Sequence, residues 1–210
     1  MTSNHDQLVQ RYTPRERATH WIVAIAFVLA ALSGLALFYP AFFALSALFG
    51  GGPGTRILHP FIGVVMFAVF CVTMVRFWHL NKVTDADRQW MKRIGDVIAN
   101  RDDDLPEVGK YNAGQKYLFW VIVVMMWLLI ASGIVMWRPY FADSFPIGLN
   151  RIAVVVHAAS AFILIAGIMV HVYAAIWVKG TMRAMTRGTV TRAWAKHHHA
   201  GWYREISARK

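Results

Sequence analysis

Residues 152–178, IAVVVHAASAFILIAGIMVHVYAAIWV, contain no Asp, Glu, Lys or Arg, and they carry two histidines, His157 and His171. At about 1.5 Å of rise per residue, a helix of this length crosses the roughly 30 Å apolar core of a bilayer. Three further stretches are equally free of charged residues: 21–39, 57–75 and 117–137. The sequence therefore predicts four transmembrane helices.

The predicted fold class is all-α, an integral membrane four-helix transmembrane bundle with both termini cytoplasmic and short surface helices. We expect the spans at about 20–39, 57–78, 116–138 and 151–178, a cytoplasmic loop at 79–115 and a cytoplasmic tail at 179–210. The 210 residues leave no room for a separate soluble domain, so residues 1–210 are predicted to form a single membrane domain. The glycine-rich segment 40–55 is predicted to be an outer loop that is not regular helix.

The formal net charge of +11 raises the question of nucleic-acid binding, which the location of the charges answers. Nineteen of the 22 Lys and Arg residues precede span one, lie between spans two and three, or follow span four. Because cytoplasmic loops carry an excess of Lys and Arg, this asymmetry indicates topology and no nucleic-acid partner. It predicts a multi-pass protein of the cytoplasmic (inner) membrane.

Four histidines lie within or at the edge of the spans, where an ionisable side chain is costly without a partner. His157 and His171 are 14 residues apart, which places them on one helix face about 21 Å apart along the axis. From the predicted topology, His59 lies at the depth of His157 and His20 at the depth of His171. Because a planar macrocycle between helices needs one axial histidine from each side, the spacing predicts two stacked bis-histidine haems. Helix–helix hydrogen bonds or a proton path are the alternatives.

Small residues near the histidines fit the same prediction. Gly34, Gly63 and Gly167 lie one or a few turns from a predicted ligand and are interpreted as clearance for a flat cofactor, with close helix packing as the alternative. The single cysteine, Cys71, permits neither an internal disulfide nor a thiolate cluster. Any iron–sulfur cluster must therefore come from a partner.

The polar segments are predicted to lie along the membrane surface. Thr84 is expected to cap a short amphipathic helix that includes Trp90. In the tail, Trp194 and Trp202 alternate with basic residues, a pattern that suits a helix at the lipid headgroups. The histidines at 197–199 are interpreted as a patch facing headgroups or a partner.

Several separated motifs, in order, resemble a known family. They are RATHW at 17–21, RILHP at 56–60, KYNAGQK at 110–116, WRPYF at 137–141, WVKG at 177–180 and WYRE at 202–205. Together they resemble the gamma subunit, a membrane cytochrome b, of quinone-linked formate dehydrogenase. The resemblance extends from about residue 11 to residue 205.

The resemblance implies a function in electron transfer. It implies that the subunit anchors an outward-facing complex, in which a molybdenum or tungsten pterin alpha subunit oxidises formate and an iron–sulfur beta subunit passes electrons on. Two haem b groups and a quinone, menaquinone or ubiquinone, are implied as cofactors and substrate. The protein is then the electron-transfer and quinone-reducing part of a formate:quinone oxidoreductase.

The resemblance also assigns site residues. His59 and His157 match the ligands of the outer haem iron, and His20 and His171 match those of the inner haem iron. Asn112, Gly114 and Gln115 match the quinone pocket at the cytoplasmic start of span three. Neutral amides suit this role because they bond a quinone carbonyl without a charge in the membrane. An ordinary helix N-cap at Asn112 is the alternative.

Two other functions remain open at this stage. The cytochrome b subunit of a nickel-iron hydrogenase or a related quinone-linked oxidoreductase has a related build and differs in the electron donor. A small transporter or proton-conducting membrane protein uses histidines for protons, but it is expected to have broken helices around a midplane site. The apolar centres of these spans disfavour that class.

Overall fold

Four long apolar helices dominate the computed structural model, which describes residues 8–99, 101 and 106–208. They are α1 (Pro14–Phe38), α2 (Gly51–Phe77), α5 (Ala113–Met136) and α6 (Ile147–Trp177). All four are long and apolar enough to cross a membrane. The prediction of an all-α four-span bundle is confirmed.

Short elements join and follow the long helices. The helices α3 (Asp85–Lys92) and α4 (Ile94–Ile98) lie between α2 and α5, and α7 (Thr181–Arg187), α8 (Arg192–His198) and α9 (Ala200–Ala208) follow α6. The strands β1 (Leu8–Gln10) and β2 (Thr189–Thr191) pair antiparallel, with Val9 opposite Val190. Short 3-10 helices occupy Pro40–Phe49, Trp78–Asn81 and Ala142–Ser144.

The glycine-rich segment differs from its prediction. Residues 40–55 are helical almost throughout, because a 3-10 helix fills Pro40–Phe49 and α2 begins at Gly51. Only Gly50 and Gly51 take the left-handed conformation, with φ of 81° and 79°. Two residues in this conformation are sufficient for the turn, so Gly52 and Gly54 already belong to the first turn of α2.

Contacts between residues divide the chain into two compact units. The bundle unit comprises Ala18–Val75 and Val121–Val170, which contain most of the four long helices and the segments that join α1 to α2 and α5 to α6. Its helices pack through small and apolar side chains, and edge-to-face pairs such as Phe67 with Trp127, centroids 4.8 Å apart, join α2 to α5. The apolar residues left exposed along these helices suit contact with lipid.

The second unit, here the terminal unit, comprises the chain up to Arg17, Arg76–Trp120 and the chain from His171 onward. It has its own small core of Tyr12, Ala184, Val190, Ala195 and Trp202. The tail is therefore not one helix but α7, β2, α8 and α9, and its position at the headgroups stays a prediction. Trp202 is buried with 6% exposure, because β1 and the tail fold together around it. That 1–210 is one domain stays a prediction.

The start of α3 follows its prediction closely. The Thr84 hydroxyl accepts a hydrogen bond from Asp87 N, and Asp87 Oδ2 accepts one from Thr84 N, which forms a capping box. Asp87 also accepts a bond from Lys116 Nζ at 2.7 Å. Burial on its own would raise the pKa of Asp87, but the hydrogen bonds from Lys116 and Thr84 outweigh it and lower this pKa. The pair ties α3 to the first turn of α5.

Candidate haem and quinone sites

Two of the predicted ligands, His59 on α2 and His157 on α6, face each other inside the bundle unit. Their ring centroids are 6.1 Å apart and their planes are inclined by 70°. Two metal–nitrogen bonds of about 2.0 Å, with about 1.1 Å from each nitrogen to its ring centre, would separate the centroids by about 6.2 Å. The spacing therefore fits one metal ion with an imidazole on either side.

A serine on α1 orients the His59 ring. Ser33 Oγ lies 2.9 Å from His59 Nδ1 and 2.7 Å from the Leu29 carbonyl oxygen. A hydroxyl has one proton, and the carbonyl can only accept, so Ser33 donates to Leu29 and accepts from Nδ1–H. This fixes the tautomer of His59, and its Nε2 keeps the lone pair that a metal needs.

An equivalent serine on α5 orients the His157 ring. Ser132 Oγ lies 2.9 Å from His157 Nδ1 and 2.6 Å from the Leu128 carbonyl oxygen. The same proton count makes His157 Nδ1 the donor and leaves Nε2 free. Both imidazoles of the outer pair are thus held as neutral ligands by a neutral acceptor.

A glycine follows each serine and lets the histidine approach. A Cβ on Gly34 would lie 3.2 Å from His59 Cε1, and one on Gly133 would lie 3.4 Å from His157 Cε1. Gly34 thus lies beside the outer pair, and the room that its missing side chain leaves is taken by the His59 ring. A Cβ on Gly63, one turn after His59, would meet no described heavy atom within 4 Å, so a flat group has space there. Clearance at Gly63 and at Gly167, on α6, stays a prediction.

Sequence reasoning missed Ser33, Ser132 and Gly133. The signal was present, because the dipeptide Ser-Gly occurs twice in apolar spans, each time 25 or 26 residues before a predicted histidine ligand. The spacing of 25 or 26 residues does not reflect the period of one helix, because the serine and its histidine lie on different helices. Only the packing of α1 on α2 and of α5 on α6 shows its meaning.

The predicted inner pair consists of His20 and His171. His20 is on α1, with its ring edge-to-face on Trp21 at 5.4 Å, and His171 is on α6. Their binding to one iron stays a prediction. In the described part of the chain, no three His, Cys, Asp or Glu side chains cluster as a conventional metal site would require. A metal in a macrocycle, with two protein ligands, is the kind of site that these residues fit.

Asn112 and Gln115 form a reciprocal cap at the start of α5. Gln115 N donates to Asn112 Oδ1 at 2.9 Å, and Asn112 N donates to Gln115 Oε1 at 3.0 Å. The alternative interpretation of Asn112, an ordinary helix N-cap, is therefore confirmed. It is compatible with quinone binding, because the cap uses the two amide oxygens and both NH2 groups remain as donors. Gly114 lies close to both the cap and Trp90, because a Cβ at this position would lie 3.6 Å from Asn112 Oδ1 and 3.7 Å from the Trp90 ring.

Comparisons with known proteins identify the family of this chain. Residues 11–188 match the family described as prokaryotic cytochrome b561. The chain is 48% identical to the formate dehydrogenase cytochrome b556(fdo) subunit of Escherichia coli strain K12, over 94% of this chain and 93% of that one. It is 45% identical to the nitrate-inducible cytochrome b556(Fdn) subunit of the same strain, over 91% and 88% of the two chains.

A third relative is the formate dehydrogenase cytochrome b556 subunit of Haemophilus influenzae, at 41% identity over 97% of this chain and 85% of that one. Matches of this identity and coverage share one fold, and the four apolar helices agree with a multi-pass protein of the inner membrane. The chain therefore belongs to the prokaryotic cytochrome b561 family, with the cytochrome b556 subunits of formate dehydrogenases as its relatives.

Proposed function

We propose that the protein is the dihaem cytochrome b subunit of a formate dehydrogenase complex, which it anchors to the membrane. Electrons from an iron–sulfur subunit on the outer face are carried to quinone near the cytoplasmic face. The observation that supports this proposal most strongly is the pair of His59 and His157, whose ring centroids are 6.1 Å apart and whose Nδ1 atoms are both bonded to serine, so that Nε2 is the nitrogen left for a metal ion.

The chain holds its cofactors through a few precise contacts. A haem b at each site supplies an iron that is oxidised and reduced by one electron. His59 and His157 would bind the outer group, and Ser33 and Ser132 keep the two rings in the required tautomer. His20 and His171 would bind the inner group. The spans that carry these rings are apolar, and within a bilayer they would keep bulk water from the sites.

Quinone is proposed to bind at the start of α5. The NH2 groups of Asn112 and Gln115 are neutral donors for a quinone carbonyl, and Gly114, which lies between them, adds no side chain to the site. Because the positive-inside asymmetry places this end of α5 in the cytoplasm, the protons for quinone reduction would be drawn from that side. Formate oxidation on the opposite side would then charge the membrane.

The partners follow from the relatives' names and from the composition of this chain. A formate dehydrogenase needs a catalytic subunit, for which we propose a molybdenum or tungsten pterin, and an iron–sulfur subunit, which this chain cannot replace with its single Cys71. A hydrogenase donor would use the same haems with a different catalytic subunit, and the relatives favour formate. A transporter function is not supported, because the chain belongs to a cytochrome family.

The test is a formate-to-quinone assay on the purified complex, with a reduced-minus-oxidised spectrum recorded on the same sample. We expect formate to reduce b-type haem and then quinone. Asn112→Ser keeps a capping hydroxyl but removes the NH2 donor, and Gln115→Glu keeps the capping oxygen. Both should raise the KM for quinone while formate still reduces the haems. Unchanged quinone kinetics in both variants would refute the quinone site. Reduction of the haems by hydrogen but not by formate would show that the donor is a hydrogenase and not a formate dehydrogenase.

A further inference from the structure

The segment that leads into the proposed quinone site is held from both ends of the chain. Gly201 N donates to the Val108 carbonyl at 3.1 Å, and Arg204 pairs with Glu107. A Cβ on Gly201 would lie 3.0 Å from the Val108 oxygen, so the two backbones touch. The tail thus packs directly on the residues before Asn112.

The next two carbonyls are also bonded. His199 Nδ1 lies 2.8 Å from the Gly109 oxygen, and Arg11 Nη2 donates to the Lys110 oxygen at 2.6 Å. Three successive carbonyls, from Val108 to Lys110, are therefore fixed by the tail and by the N-terminal segment. A loop rarely has every carbonyl bonded to distant side chains and backbone, so this conformation is closely specified.

The two side chains also bond to each other. The Gly109 carbonyl can only accept, so His199 Nδ1 carries the proton and donates. In the neutral ring, Nε2 then accepts from Arg11 Nη2, which lies 3.2 Å away. His199 is only 3% exposed. Burial and the nearby Arg11 charge lower the pKa of His199 to about 3, which keeps the ring neutral at physiological pH.

Arg11 is 5% exposed and lies among aromatic rings instead of carboxylates. Its guanidinium carbon is 4.9 to 6.0 Å from four ring centroids, those of Tyr12, Tyr111, Trp194 and Trp202. Within the described residues it forms no ion pair with a carboxylate. Ring faces stabilise a desolvated cation. The guanidinium is thereby kept in place as a donor to both Lys110 and His199.

We propose that His199 and Arg11 are positioning residues for quinone reduction. They hold the segment 107–110 so that the NH2 groups of Asn112 and Gln115 are directed toward the quinone carbonyl. The inference rests on the proposed quinone site. It makes that site depend on the folded tail, more than 80 residues away in sequence. Neither side chain is proposed to touch quinone.

Two substitutions at residue 199 separate the bonds of the ring. Asn places an NH2 group where Nδ1 stands, so His199→Asn keeps the donor to Gly109. Gln places its amide where Nε2 stands, so His199→Gln keeps a contact with Arg11 and loses the bond to Gly109. We expect the KM for quinone to rise about five- to tenfold in His199→Gln, the effect of losing one hydrogen bond, and to stay within about twofold of wild type in His199→Asn.

The measurement uses the whole purified complex, with haem content and formate-driven haem reduction recorded for every variant. Those two values should match wild type, and hydrogen exchange at residues 109–111 should rise in His199→Gln alone. If His199→Gln does not assemble, Gly201→Ala supplies the second test, because its methyl group displaces the Val108 carbonyl and should also raise the KM.

The outcomes separate the two proposals. A raised KM in Asn112→Ser with wild-type kinetics in His199→Gln and Gly201→Ala would overturn the positioning role alone. Wild-type kinetics in Asn112→Ser and Gln115→Glu would overturn the quinone site itself. Equal losses in His199→Asn and His199→Gln, together with lost haem, would show that His199 is merely structural and would also overturn the inference.

Discussion

The two histidines of the outer pair and His199 all donate a hydrogen bond from Nδ1, but they differ in what their second ring nitrogen, Nε2, binds. His59 and His157 give their Nδ1 protons to serine hydroxyls, and their Nε2 atoms are left for a metal. His199 gives its Nδ1 proton to a carbonyl, but its Nε2 is already bonded to Arg11. A buried histidine is therefore assigned to ligation or to positioning by its second nitrogen.

The largest expected effect concerns the close approach of glycine to the outer rings. Gly34→Val and Gly133→Val place a branched side chain where a Cβ alone would be 3.2 to 3.4 Å from the histidine ring. We expect the outer haem to be lost and the inner haem to be kept. Haem content of the purified variants measures this. Gly95→Ala, which meets no described atom within 4 Å, is the control and should retain both haems.

The next effect is the pH dependence of the stability of the folded tail, which reports the protonation of His199. The pKa of His199 is lowered to about 3 from 6.5, so the unfolded tail binds a proton that the folded tail does not between these values. Its stability is therefore complete above about pH 6.5 and falls as the pH drops, by at most about 1.4 kcal/mol per pH unit.

Hydrogen exchange of residues 189–208, measured from pH 7 to pH 5, reports this local unfolding once intrinsic exchange rates are corrected. His199→Asn should flatten the dependence, because Asn does not titrate. A slope that is the same in wild type and His199→Asn would show that another group is responsible.

The smallest effect tests the serine bonds. Ser33→Ala and Ser132→Ala remove the acceptor of Nδ1–H but not the ligand, so both haems should stay bound. With less electron density on the imidazole, the midpoint potential of the outer haem should rise, by at most roughly 40 mV if one redox state feels a bond of about 1 kcal/mol.

A redox titration followed in the visible spectrum gives the two midpoint potentials. Ser160→Ala removes a buried serine of α6 and should leave both midpoint potentials unchanged. A shift of the outer potential in Ser160→Ala equal to that in Ser132→Ala would attribute the effect to packing.

The sequence predicted those features that depend on one helix alone. Apolar length and charge placement identify the spans, and a 14-residue interval identifies the shared face of His157 and His171. Features that need two elements were missed. Ser33 and Ser132 act across helix pairs, and His199 was taken for an exposed patch because three adjacent histidines look alike until packing buries one of them. The burial of Trp202 was missed for the same reason, because it depends on β1 and the tail folding together.

In the proposed function, four histidines of this chain bind two b haems, with His59 and His157 sharing the outer one. Haem quantification on the purified wild-type complex and on His157→Ala tests it most directly. We expect two haem b groups per chain in the wild type. The variant should contain one, with the midpoint potential of the inner haem unchanged. Two haems in His157→Ala, or fewer than two in fully assembled wild type, would contradict it.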